Sequence, residues 1–379
     1  MNNIIYLDNA STTKVDERVL ETFNKAHQSY FANPSSIHKL GQEATYLLNR
    51  SKDEILSNLK LKDHQIIYTS GATEANNLAI KGAALEYKSR GKHIITSIYE
   101  HASVLEAVKQ LSDEFGYKVT YVRPNSDGII TVDNVISQLT SETVLVSIMA
   151  VNNEIGAINP IKEIGEALKK YPKVIYHVDA SQLIGKTDKL IDLNTVDLLT
   201  ISAHKIHGLV GYGALIKRKK LTLLALSSGG GQEYNFRSGT NDLAGALALA
   251  KTIDLALKSQ KDNYEKVRFL ANRIIEYLSS KPEYYELNLP HPINSYIINF
   301  STKKKGSVVV EALSNHNIMV SSISACSSSK EKGSYVVKSL GKSDETANNT
   351  VRISLDATNT SEEIETFIKT IDQIMGEIR

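Results

Sequence analysis

The sequence predicts an α/β fold: a large domain on a mainly parallel seven-stranded sheet, followed by a smaller α+β domain. Three observations carry that expectation. Seven short apolar runs rich in Val and Ile recur between residues 65 and 217, as strands covered on both faces require. Helical patterns separate several of them, the mark of βαβ units. From about residue 242 the order changes to long helical stretches and then to mixed strands and helices.

The strand runs are 65-QIIYTS-70, 92-KHIITS-97, 117-YKVTYV-122, 143-TVLVSIM-149, 173-KVIYHVDA-180, 197-DLLTISA-203 and 212-YGALIK-217. Between them, 74-EANNLAIKGAALEYKSRG-91 and 160-PIKEIGEALKKY-171 read as helices, the second with Pro at its first turn. One long helical stretch, 242–280, leads out of the large domain, with a boundary near 258. Then come a strand at 294-NSYIINFS-301, a helix over 306–317, a strand 318-IMVSS-322, a Ser-rich loop, a strand 350-TVRISL-355 and a last helix from about 360.

Composition narrows the function. The chain has 379 residues, 41% of them hydrophobic and 23% charged, an ordinary profile for a soluble globular protein. Its 44 basic and 42 acidic residues leave a net charge of +2, which argues against a dedicated nucleic-acid or polybasic membrane binder. No apolar run is long enough to span a bilayer, and the start, MNNIIYLDNASTT, lacks the pattern of a secretory signal. The single Cys excludes an intramolecular disulfide and a Cys-cluster zinc site. A reducing cytoplasm is the expected location.

Several loops that follow the strands carry chemistry. In 69-TSGATEANN-77 small residues open a helix, either as an anion-binding turn or as a plain turn capped by Thr73. Asp179 closes a strongly apolar strand, where it either caps the next turn or faces a buried cation. In 203-AHKIHG-208, Lys205 stands between two histidines at a strand end. An anion turn, a carboxylate for a protonated pyridine nitrogen and an amine for a Schiff base are the parts that hold pyridoxal 5'-phosphate. Their joint occurrence at one sheet edge points to that cofactor. His204 would serve the phosphate, while His207 has a packing or surface role. His101, at another strand-to-helix junction, either stacks on the ring or caps the helix. Asn152 and Asn153 end a further strand and can donate to a ring oxygen or a carboxylate. Cys326 lies in a Ser-rich loop beside Lys330 and Lys332, the environment of a reactive thiolate. No metal site is expected.

The motifs YLDNASTT, NPSSIH, SGATEANN, EHASV, VNNEIG, HVDASQ, SAHKIHG, RSGT, SSISAC and VRISL run in order through nearly the whole chain. In this set the chain resembles the cysteine desulfurases, pyridoxal-phosphate enzymes of the class V aminotransferase group. The resemblance implies fold type I, with 14–257 as the large domain and 1–13 plus 258–379 as a small domain carrying the Cys loop. It implies a homodimer, conversion of L-cysteine to L-alanine, and a persulfide on Cys326. That sulfur would pass to an acceptor protein for iron–sulfur clusters, tRNA thiolation or the thiamine pathway. By position, Lys205 would form the Schiff base, Asp179 pair with the ring nitrogen, Gln182 bond the ring hydroxyl and His101 stack. Ala72, Thr73, Ser202 and His204 would hold the phosphate, with Thr240 from the other subunit. Asn153 and Arg352 would hold the substrate carboxylate, with Asn33 a further candidate; Asn153 also lies against the cofactor. Departures fall at Lys14, at 208-GLVG-211, and at Gln232 and Tyr234. A selenocysteine lyase or aminotransferase of the same fold, or a low-turnover scaffold for a sulfurtransferase, are the alternative readings.

Overall fold

A computed structural model describes residues 4–322 and 333–377. The chain opens with a two-residue strand, β1 (Ile5–Tyr6), and two helices, α1 (Glu17–Ser29) and α2 (Lys39–Asn58). The main sheet then forms from β2 (His64–Thr69), β3 (His93–Ser97), β4 (Lys118–Val122), β5 (Thr143–Ser147), β6 (Ile175–Asp179), β7 (Leu198–Ser202) and β8 (Gly213–Arg218). Its order is β2-β8-β7-β6-β5-β3-β4. Only β8 runs against the rest, pairing antiparallel with both β2 and β7. The carboxyl ends of the other strands therefore share one edge.

The strands are apolar because helices cover both sheet faces. β3, β5, β6 and β7 are buried at every position. Helices α3 (Ala72–Glu86) and α4 (Ala102–Phe115) flank the sheet, and α5 (Val132–Ile136) and α6 (Ile161–Leu168) complete this part. Pro160 stands at the cap position before α6, just ahead of the first turn where the sequence placed it. The expected single stretch over 242–280 is two helices, α7 (Leu243–Lys258) and α8 (Gln260–Ser279). The break is at Ser259, whose ψ of 4° ends α7 before α8 begins.

The second unit has its own core. A three-stranded sheet of β9 (Tyr285–Leu287), β10 (Ile297–Thr302) and β12 (Thr350–Ser354), in the order β12-β10-β9, is antiparallel throughout. Between its strands lie α9 (Gly306–Asn315), the short β11 (Ile318–Met319), α10 (Tyr335–Ser339) and α11 (Asp344–Asn348). The helix α12 (Ser361–Glu377) brings Ile364, Phe367 and Ile371 into the core cluster that also holds Ile298, Phe300 and Ile353. Ile5, Leu7 and Ala10 belong to this core, and β1 pairs in parallel with β11. The chain start thus crosses from the small core to the edge of the large sheet. No helix among the described residues is long and apolar enough to cross a membrane.

Candidate active site

Loops at the carboxyl edge of the sheet bring together Ala72, His101, Asn153, Asp179, Gln182, Ser202, His204 and Lys205. After β2 the chain turns at Gly71, with φ of 145°, into α3. A Cβ built on Gly71 meets nothing within 4 Å, whereas one on Gly213 comes within 2.7 Å of the Gly71 Cα. Glycine at 213 permits the close crossing, and Gly71 leaves open space at the N-terminus of α3, where N–H groups favour an anion. Thr73 does not cap α3: the cap residue is Gly71 and makes no side-chain bond. Ser202 closes β7 fully buried, and its hydroxyl has no partner among the described residues. Arg237 ties the RSGT loop to this turn through Glu74 at 2.9 Å.

Lys205 ends a 3-10 turn at the foot of β7. Its Nζ donates to the Ala10 and Ser11 carbonyls at 2.7 and 2.6 Å. The same N-terminal segment clamps the turn from the other side. Thr13 donates from N and Oγ1 to the His204 carbonyl, and His207 N donates to Thr13 Oγ1. The His204 ring contacts Thr12 Oγ1 at 3.2 Å. Burial first, then the charges of Lys205 and Lys186, lower its pKa to about 4.

His101 is the cap residue of α4, accepting from Ser103 N at Nδ1. A backbone N–H only donates, so Nδ1 is the acceptor and the neutral ring carries its proton on Nε2. The ring keeps accessible surface, yet its pKa is lowered, chiefly by desolvation. Asp179 opposes that shift and Lys205 adds to it. Ser103 Oγ also touches the ring at 2.9 Å and accepts from Asn76 Nδ2 at 2.8 Å. Asn76 Nδ2 donates to Asp179 Oδ2 at 2.7 Å, and Ser181 N donates to Oδ1 at 2.9 Å. The capping readings of His101 and Asp179 thus hold together with their placement in the site. Asn76 and Ser103 stand in quoted motifs, SGATEANN and EHASV, but apolar periodicity gave no sign that they join His101 to Asp179.

From the small core, β12 delivers Arg352, whose side chain is 7% exposed. It donates to Asn153 O at 2.9 Å, to Asp8 Oδ1 at 2.9 Å and to Ser11 Oγ at 2.7 Å. Its Nε is buried without a partner among the described residues. Asn152 is not available as a donor to a ligand. It is fully buried, donates to Tyr99 O and accepts from Glu154 N and Ile155 N, so it shapes the loop that presents Asn153. His207 takes the packing role expected of it and stays part-buried. Its Nε2 meets Asp356 Oδ2 at 2.8 Å and its Nδ1 the Lys14 carbonyl, so it joins the Lys205 turn to the segment after β12. Asn33 and Thr240 lie on exposed loops, and Asn33 Oδ1 accepts locally from Ser35 N. Cys326 falls outside the described residues. Among the described residues no three His, Cys, Asp or Glu side chains are grouped to hold a metal ion.

The model of the aminotransferase class-V family matches residues 5–367. The chain belongs to that family. A NifS/IcsS protein homolog of Lactobacillus delbrueckii subsp. bulgaricus is 39% identical over 375 residues, covering 98% of this chain and 97% of the relative. Cysteine desulfurase IscS of Clostridium botulinum (strain Kyoto / Type A2) is 36% identical over 383 residues, 100% of this chain and 96% of the relative. A solved NifS-like protein superposes with a TM-score of 0.91 at 32% identity, covering 99% of this chain and all of that one. This class V member has the α/β architecture of the fold-type-I pyridoxal-phosphate enzymes.

Proposed function

We propose that this chain is a pyridoxal-phosphate-dependent cysteine desulfurase, acting on L-cysteine as a cytoplasmic homodimer that hands sulfur to an acceptor protein. One observation carries the reading: Lys205 Nζ is held at the sheet edge where Asp179, His101, Ser202 and Arg352 also converge. The relatives named cysteine desulfurase support the reaction. The residues fit the cofactor. The orphan Ser202 hydroxyl, the open space before Gly71 and the N-terminus of α3 suit a phosphate. Ala72, Thr73, Ser202 and His204 would hold it, with Thr240 from a second copy. Asp179 would pair with the ring nitrogen, Gln182 with the ring oxygen, and His101 would lie over the ring. We take 14–257 as the cofactor-binding domain and 1–13 with 258–379 as the small domain.

Pyridoxal phosphate, when bound, supplies the electron-withdrawing ring that makes loss of the substrate's α-proton feasible. Asp179 would keep the ring nitrogen protonated, its carboxylate oriented by Asn76 and Ser181 N. Lys205 would hold the cofactor's aldehyde through Nζ, and the free Nζ would take the substrate's α-proton. Arg352 and Asn153 orient the substrate carboxylate, with Asn33 a further candidate. His101 carries a proton on Nε2 at neutral pH and can move it near the ring. The Cys326 thiolate attacks the substrate sulfur. The carbon–sulfur bond breaks as the sulfur–sulfur bond forms, the substrate β-carbon gains a proton, and alanine leaves a persulfide on Cys326. The acceptor would serve iron–sulfur assembly, tRNA thiolation or the thiamine pathway. Purified protein given L-cysteine and a thiol should release alanine and sulfide in equal amounts. Amine transfer from L-cysteine to a keto acid, with no sulfide released, would move the aminotransferase reading ahead.

A further inference from the structure

Lys186 follows β6 in the turn that carries Gln182, and it is 6% exposed. A lysine this deep needs a partner or a task. Its backbone is fixed: the N–H donates to Leu183 O at 3.0 Å and the carbonyl accepts from Asn294 Nδ2 at 2.9 Å. Its Nζ donates to Gln182 Oε1 at 2.8 Å. Gln182 Nε2 donates to the Ala10 carbonyl at 2.9 Å. That carbonyl is the one that accepts from Lys205 Nζ at 2.7 Å. The result is a continuous path, Lys186 to Gln182 to Ala10 to Lys205.

The path determines which way the Gln182 amide points. A carbonyl only accepts, so the amide NH₂ must face Ala10. The Oε1 then faces Lys186, whose Nζ can donate whether it is charged or neutral. One N–H of the NH₂ is spent on Ala10 and the other remains. Lys186 stands in a crowded field: burial first, then the charges of Lys205 and Arg352, hold its pKa down at about 7, with Asp356 opposing. Removing its donor would leave Oε1 buried without a partner.

We propose that Lys186 is a positioning residue that orients the Gln182 amide toward the cofactor's ring oxygen and acts on the cofactor only through Gln182. This rests on the pyridoxal-phosphate reading above. The test is a pH titration of the visible absorption band of the holoenzyme in wild type, Lys186→Met, Gln182→Leu and the double variant. If the wild type has no visible band, the cofactor reading itself fails. Given a band, K186M and Q182L should each move the titration midpoint by about one pH unit, the weight of one hydrogen bond. The double variant should move it no further than Q182L alone. A K186M midpoint at the wild-type value, or a shift that persists in the Q182L background, overturns the proposal. If K186M does not fold, Lys186→Gln keeps a donor without the charge and should titrate as wild type. A K186Q shift that also appears in the Q182L background overturns the proposal as well.

Discussion

Replacing Arg352 should weaken the enzyme for cysteine while leaving its cofactor in place. Three of the guanidinium N–H bonds go to Asn153 O, Asp8 and Ser11. Among the described residues two of its five remain, one of them on the buried Nε. A substrate carboxylate that takes one of them gains a charge-assisted hydrogen bond worth roughly 1.5–3 kcal/mol. At about 1.4 kcal/mol per decade, Arg352→Ala should lower kcat/KM by roughly 10- to 150-fold. Because the substrate carboxylate does not change during the chemistry, most of the loss should fall on KM. Arg352→Lys keeps the charge but loses the fork, and should lie between the two. Asp8 complicates the comparison, since R352A also strips this half-buried carboxylate of its cation. The assay therefore pairs steady-state alanine release with thermal melting and the visible band. Asp8→Asn supplies the control, because it frees Arg352 without removing it. A KM for cysteine unchanged in R352A, with the cofactor fully bound, would take Arg352 out of the substrate site.

Three further expectations are simpler. Borohydride should fix the cofactor covalently onto Lys205 in the wild type; a fixed cofactor in Lys205→Ala, seen by peptide mass spectrometry, would reassign the lysine. Cys326→Ser should keep the spectral response to cysteine but lose alanine and sulfide release, since a hydroxyl is no nucleophile at neutral pH; near-normal alanine release would exclude the thiol. Asp356→Asn should lower the melting temperature by a few degrees at pH 6 and by less at pH 9. Burial pulls His207 down, but Asp356 outweighs it and raises the pKa above the ordinary 6.5, so that stabilisation fades as pH rises through the raised value. Burial pushes Asp356 up, but His207 and Thr358 hold it well below its ordinary 3.8, so its share is present above that value and fades only in acid. Equal melting shifts at both pH values would rule out the ion pair as the stabilising interaction.

What the sequence discloses depends on how local the cause is. The seven sheet strands stand out because burial on both faces demands apolar runs, and the chemistry at their ends follows from placing polar residues there. The two-residue β1 does not stand out, because its pairing with β11 joins Ile5 to Ile318 and leaves no local pattern. The break at Ser259 is hidden too: a residue with helical composition on both sides can still end one helix and begin another. Lys186 looks like any surface lysine in a polar turn, and only the tertiary fold closes Asn294 and Gln182 around it. Asn152 and Asn153 are chemically identical neighbours. The fold alone spends one on the loop and presents the other.

The residues that clamp Lys205 are made first and secured last. Ala10 N reaches its partner, Ser354 Oγ, across 344 positions of chain. At roughly 5–20 residues per second, the N-terminal segment waits on the order of tens of seconds after leaving the ribosome before that partner exists. Through that interval the large sheet can assemble and Lys205 is already translated, but the strand bearing Arg352 is missing. A half-made chain therefore has the lysine and the Ala10 and Ser11 carbonyls, but not the strand that fixes those carbonyls in place. Truncated translation products ending before residue 354 should therefore stay colourless even where their sheet has folded.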